Sequence, residues 1–421
     1  MKVLGVVTEY NPFHNGHKYH IEKSKEISGC DATLAVMSGH FLQRGEPALL
    51  DKWSRAEMAV HSGVDLVIEI PTVYACATAE FFSYGSLQLL NGTGIVTDLS
   101  FGSEHGELPL LKYIAEILVK SPKKFEDYLK ASLDRGNLFP VARSQALGLF
   151  IKENKGLEKS EFSELEKVLK SPNNILAIEY LKSLIRTNSS IKPHTLQRIS
   201  APYHNRDIQG SIASATAIRE HLVLGKSLNT LTQVLPEASY KLLVSAIDKG
   251  NAPIFTHHFR DMLLGLLRRS TPRELQEIFD VKEGIENRLI QGAKISSSIE
   301  ELLENVKTKR YTYTRIQRIL MHLLINIQRN DLLRYNETGG PKYLRVLAFN
   351  DRGRFLLKKM KKQSTLPVIT NLKHYHPETP LAKSMLHYDL RGTDLFTLAM
   401  VNPHMKTDNP EYKNRPRYVK V

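Results

Sequence analysis

The chain has 421 residues, 42% apolar and 24% charged, an ordinary globular balance whose length predicts two or three domains and whose Leu, Ile, Val and Phe suffice for sizeable cores. Its two cysteines, Cys30 and Cys76, form no CxxC pair, which excludes a disulfide scaffold and a thiolate zinc site; both are expected as buried small apolar groups, in keeping with a reducing compartment. The net charge of +14 is concentrated in residues 301–421, where 23 Lys and Arg face 10 Asp and Glu, so the C-terminal part is the one expected to meet a polyanion.

The first residues, MKVLGVVTEY, hold too short an apolar run for a signal peptide and read as a buried strand over residues 3–8. No stretch approaches the roughly 18 apolar residues of a membrane span, so no membrane association is expected and the protein is expected to be soluble and cytoplasmic. Helix and strand patterns then alternate: helix at 17–26, strand at 32–37, helix at 52–61, strand at 65–70 closed by Pro71, helix at 79–90 and strand at 98–101. Continuous apolar strands between helices predict a parallel, Rossmann-like α/β sheet covered on both faces.

Residues 107–190 are mostly helical by periodicity, with turns at Ser121, Pro122 and at Ser171, Pro172. A strand is expected at 195–199 and a helix at 214–224. Residues 236–333 read as helices rich in Leu and Arg, with examples at 257–269 and 315–330. Gly339, Gly340 and Pro341 break the pattern, and a small basic α/β part follows, with a strand at 343–348 and a helix at 354–361. The expected division is a catalytic domain over 1–230, a helical domain over 231–336 and a basic α/β segment over 337–421.

Two segments carry phosphate chemistry. In TEYNPFHNGHKYH, residues 8–20, the first strand gives way to a helix. A helix N-terminus at the carboxyl edge of a parallel sheet offers free N–H groups and partial positive charge to phosphate. Gly16 allows close backbone approach, and His14 and His17 fall on one side of a helical turn, where imidazole N–H groups can meet the charge that builds up on phosphate oxygens. His14, His17 and His20 could instead form a metal site or be structural, but no downstream ligand set completes a metal site. The second segment is SATAIR: Ser214 and Thr216 can hold phosphate at a helix start, and Arg219, a turn later, can reach the same group with a planar fork of donors. Read without a ligand, it is a capped helix with a solvated Arg.

HNGH and SATAIR together resemble the signatures of the HxGH nucleotidyltransferase superfamily. VTEYNPFHNGH, VMSGHFLQRGEPA, DLVIEIP, FGSE, NNILAIEYLKSL, IASATAIR and residues 343–370 further resemble the bacterial tRNA(Met) cytidine acetate ligase family within it. The resemblance implies activation of acetate by ATP, with Mg²⁺, to acetyl-adenylate and acetylation of the wobble cytidine of elongator tRNA(Met). It implies that His14 and His17 stabilise phosphate charge and that Ser214, Thr216 and Arg219 grip pyrophosphate. ATP contacts are expected from Val7, Thr8, Glu9, Tyr10, Asn11, Pro12, Phe13, His14, Asn15, Gly16, His17 and His20, joined by Gly102, by Asn173 or Asn174, and by Arg198.

The loop at 38–47, with His40, Gln43, Arg44 and Glu46 between Gly39 and Gly45, reads as a lid or acetate-side loop. Lys307, Lys309, Arg310, Arg315 and Arg318, interleaved with Tyr311 and Tyr313, read as a tRNA surface of phosphate contacts and stacking platforms. Arg352, Arg354, Lys358, Lys359, Lys361 and Lys362 form a second basic run. The alternatives are a small-metabolite nucleotidyltransferase, which needs no basic C-terminal surface, and a non-catalytic RNA-binding protein, which needs neither phosphate motif.

Overall fold

The computed structural model describes residues 1–155, 159–198, 210–407 and 410–420. Five parallel strands are laid down first: β1 (Val3–Thr8), β2 (Ala32–Ser38), β3 (Leu66–Ile70), β4 (Asp98–Ser103) and β5 (Lys192–Gln197). β2 and β3 are buried along their whole length, as expected of parallel strands covered on both faces. Alternation within them divides the core. Leu34, Val36, Leu66 and Ile68 face one apolar cluster. Leu4, Val6, Ala35, Met37 and Val67 face the other, under the helix Lys52–His61.

The sheet continues with β6 (Leu344–Phe349), β7 (Val368–Ile369) and β8 (Arg417–Tyr418). Its order is β5-β4-β1-β2-β3-β6-β7, with β8 also paired to β6. The chain leaves β1 toward β2 and β3 on one side and returns to β4 and β5 on the other. The switch point, where parallel sheets bind ligands beyond their carboxyl ends, therefore lies between β1 and β4.

β6 runs antiparallel to β3, pairing Glu69 with Arg345. The segment 337–421, expected as a separate small part, is thus hydrogen-bonded into the N-terminal sheet. Residues 231–336 are helical as expected, but Leu263, Leu289, Ile316 and Leu320 join the same apolar cluster as Leu34 and Ile68. Helix 315–330 is in fact two helices, Tyr313–Ile325 and Arg329–Glu337, because Asn326 takes the left-handed conformation (φ 59°) at the C-cap. Helix 257–269 opens as a 3₁₀ turn, Thr256–Phe259, before the helix Arg260–Arg269. The fifth strand begins earlier than expected, and Ile199 lies outside the described residues.

Cys76 is buried, whereas Cys30 is only half-buried, its thiol 3.5 Å from an Asp98 carboxylate oxygen. No helix among the described residues is long and apolar enough to cross a membrane.

Candidate active site

β1 ends in a turn in which Tyr10 has positive φ (47°) and the Asn11–Pro12 bond is cis. The helix Asn15–Ser28 starts at once, with His14 as its N-cap. The Gly16 N–H donates to His14 Nδ1 at 3.1 Å, and the His14 N–H donates to His17 Nδ1 at 3.3 Å. Both Nδ1 atoms are acceptors, so each neutral imidazole carries its proton on Nε2, free to donate outward. The rings stack with centroids 3.7 Å apart, and Tyr10 meets His17 edge-on at 4.9 Å.

Burial, reinforced by the Arg198 charge, brings His14 down to about 4 and His20 to about 4. Burial and then the neighbouring histidines hold His17 well below its ordinary value. At neutral pH the pair are neutral donors. A Cβ on Gly16 would stand 2.9 Å from His14 Cε1, so this glycine makes room for the His14 ring.

The two phosphate motifs meet. The Asn15 N–H donates to Val234 O at 2.9 Å, and its side-chain amide to Ser211 O and Gln233 O at 2.9 and 3.0 Å. These bonds dock the start of the helix Ala215–Val223 beside the HNGH loop. Ser214 caps that helix by accepting from the Ala217 N–H at 3.1 Å, which leaves its hydroxyl proton available. Thr216 is exposed. Arg219, expected as a solvated or phosphate-bound group, is mostly buried and ion-paired with Glu46 of the 38–47 loop.

From the other side of the switch point come β4, β5 and the helix Pro172–Arg186. Arg198 Nη1 donates to Asn173 Oδ1 at 3.2 Å. A Cβ on Gly102 would touch Arg198 Cγ at 3.0 Å, so Gly102 clears the path of this side chain. Glu104 fixes both asparagines, accepting from Asn173 N and Nδ2 at 3.1 and 2.6 Å and from Asn174 N at 2.8 Å. Asn174 is buried, with Oδ1 taken by the His105 N–H and Nδ2 by Val168 O. Asn173 is half-exposed beside Arg198 and is the more accessible of the pair.

One residue that sequence reasoning missed organises the edge. Arg55, on the helix Lys52–His61, is fully buried and donates to the carbonyls of Leu50, Glu9, Ser38 and Gly39. It ties the loop after β1 to the loop after β2, and burial lowers it to about 10. The half-buried Glu9 accepts from the Gln43 N–H at 2.7 Å through its carboxylate, and desolvation raises its pKa. Asn11 Oδ1 accepts from the Leu49 N–H at 2.6 Å. Glu9 and Asn11 thus tie the loop after β1 to the chain that follows β2.

His40, read as a polar head of the 38–47 loop, is buried instead, with Nδ1 3.1 Å from the Thr393 hydroxyl. Beside it lies a buried ionic cluster in which Lys52 contacts Glu69 and Glu411 at 2.6 Å and Arg345 pairs with both carboxylates. Gly45, at φ 80°, sits so close to the helix Tyr313–Ile325 that a Cβ would lie 2.2 Å from Arg318 N. The 38–47 loop thus rests on the helical region.

Of the basic residues expected to meet RNA, Arg315 lies 3.0 Å from Glu283 and 3.6 Å from Asp280, Arg318 lies 3.7 Å from Asp280, and Arg310 lies 3.6 Å from Glu283. Arg315 and Arg318 are mostly buried. Lys307 and Lys309 are exposed, Lys307 lying 4.3 Å over the Tyr313 ring. The second basic run forms the helix Asp351–Gln363. Arg352 Nη1 donates to Asp31 O at 2.9 Å, at the amino ends of the strands, across the sheet from the phosphate motifs.

The HIGH Nucleotidyl Transferase family matches the chain over residues 1–411. The chain is 46% identical over 421 residues to the tRNA(Met) cytidine acetate ligase of Alkaliphilus metalliredigens, covering 100% of this chain and 99% of that one. It is 41% identical over 416 residues to the protein of the same name from Acetivibrio thermocellus, covering 98% of each. A crystal structure of Thermotoga maritima TmcAL bound with alpha-thio ATP has a TM-score of 0.93 and 35% identity, covering 100% of both chains.

Proposed function

This chain belongs to the HIGH Nucleotidyl Transferase family and, within it, to the tRNA(Met) cytidine acetate ligases, and from that footing we propose that it activates acetate with ATP and acetylates the wobble cytidine of elongator tRNA(Met). The observation that carries the reading is the pair of Nε2–H imidazoles, His14 and His17, docked against the Ser214–Arg219 motif and flanked by Arg198. Neutral donors and guanidinium groups converging on a helix N-terminus suit displacement at phosphorus, which needs positioning and charge neutralisation.

In the first step an acetate oxygen attacks the α-phosphorus of ATP. The bond to the bridging oxygen breaks, and pyrophosphate departs toward Ser214, Thr216 and Arg219, which must exchange Glu46 for phosphate. His14 and His17 donate to the oxygens on which charge builds up. In the second step the exocyclic amine of cytidine attacks the acyl carbon, loses a proton and expels AMP. Mg²⁺ would enter on the triphosphate of its substrate. Among the described residues no group of three or more His, Cys, Asp or Glu could hold a metal ion. A tRNA substrate assigns the reaction to the cytoplasm.

The test is incubation with ATP, labelled acetate and bulk bacterial tRNA, followed by nucleoside analysis. Label in acetylcytidine with matching AMP and pyrophosphate is expected. Pyrophosphate release triggered only by a phosphorylated metabolite would instead establish the small-metabolite reading.

A further inference from the structure

A cavity of about 500 Å³, within the range of roughly 300–1,000 Å³ usual for a single bound ligand, is lined in part by Thr216 and Arg219 of the Ser214–Arg219 motif and by no residue of the HNGH loop. We infer that this cavity receives one nucleobase of the RNA substrate, splayed out of its stack; the inference rests on the tRNA reading above.

Three observations place it there. The first is position. Thr216 and Arg219 form one wall, so a group inside lies beside the motif to which the departing pyrophosphate is assigned above. The second is continuity with positive charge. Thr314 and Gln317, on the helix Tyr313–Ile325, form the facing wall. The turn leading into that helix carries the exposed Lys307, Lys309 and Arg310, with the exposed Tyr313 under Lys307. Phosphates drawn to this turn would lead the attached base inward.

The third is the chemistry of the walls. Val223 and Leu224 are 57% and 67% exposed at the rim, large apolar side chains left facing water. Phe255 lies deeper, stacked on His257 with ring centroids 5.6 Å apart. Flat apolar surface suits the face of an unstacked base, and a side-chain amide such as Gln317 offers a donor and an acceptor to its edge. Acetate would leave such a volume largely empty. A duplex would not present a free base to it.

The test uses the full chain carrying Val223→Trp, which fills the cavity from its exposed rim, or Gln317→Ala, which removes the amide. Acetylation of bulk tRNA is measured with ATP and acetate saturating, alongside ATP affinity and melting temperature. At least a tenfold fall in kcat/KM for tRNA is expected in each variant, mainly through KM in the Trp variant, with ATP affinity within about twofold. Wild-type kcat/KM in a folded Val223→Trp or Gln317→Ala variant would overturn the cavity assignment alone. Absence of tRNA acetylation by the unmodified chain would overturn the reading beneath it as well.

Discussion

The tautomers of His14 and His17 make one prediction unusually discriminating. An Asn at position 17 places its side-chain oxygen near the present Nδ1, so the His14 N–H, now 3.3 Å from that nitrogen, keeps an acceptor. The outward Nε2–H is lost. Removing one donor aimed at developing oxyanion charge costs about 2.7–4 kcal/mol, or 10²–10³ in rate. The structural cost of His17→Asn is the loss of ring contacts to His14, Tyr10 and Phe13, about 1.5–4.5 kcal/mol at roughly 0.5–1.5 kcal/mol each. That is small enough to leave the chain folded. A Gln at the same position places its amide nitrogen near Nε2 and should recover part of the rate. The assay is AMP and pyrophosphate production at saturating ATP and acetate, with a thermal melt on each variant. A folded Asn variant within threefold of the original rate would refute the donor role, and a Gln variant no faster than the Asn variant would refute the Nε2 geometry.

Acid should destabilise the protein through the same histidines. His14 and His20 are held at about 4 in the folded chain against 6.5 unfolded, so their stabilising contribution is complete above pH 6.5 and is lost as pH falls from there toward 4. Each adds at most about 1.4 kcal/mol per pH unit, and urea unfolding at pH 7, 6 and 5 should show a slope that shrinks in His14→Asn. Asn173→Ala should weaken ATP binding with little change in melting temperature. Asn174→Ala should instead cost about 1–3 kcal/mol of stability, because it orphans the His105 N–H and Val168 O; calorimetry on both variants separates the roles. Joint replacement of Lys307 and Lys309 by Ala should reduce the salt slope of tRNA binding by about 1.4–1.8. An unchanged slope would remove this turn from the RNA surface.

The strands of the parallel half, and the place of HNGH after the first of them, are legible because each is a local pattern: an apolar run, a turn, a helix start. β6 is legible as a strand but its partner is not, since nothing local in residues 343–348 names β3. The basic C-terminal excess is countable, yet the acceptors Asp280 and Glu283, distant in sequence, decide that Arg315 and Arg318 are not free. Arg55 escaped notice because a charged helix residue normally reads as solvated. The signal was present: Arg55 shares a helix face with Lys52, Ala56 and Ala59, all buried, and a cation on an apolar stripe requires acceptors inside. Gly16 and Gly102 stand out in the sequence, and in the structure the bodies beside them are the side chains of His14 and Arg198.

The antiparallel pairing of β6 with β3 has a consequence for biosynthesis. β3 ends at Ile70 and its outer neighbour begins at Leu344, roughly 270 residues later. At roughly 5–20 residues per second, the apolar edge LVIEI emerges from the ribosome on the order of 15–55 s before the strand that covers it. An open apolar edge of that kind is a template for intermolecular pairing, so nascent chains of this protein are open to such pairing over that interval. A message truncated before residue 344 should yield aggregate rather than a smaller ATP-binding protein.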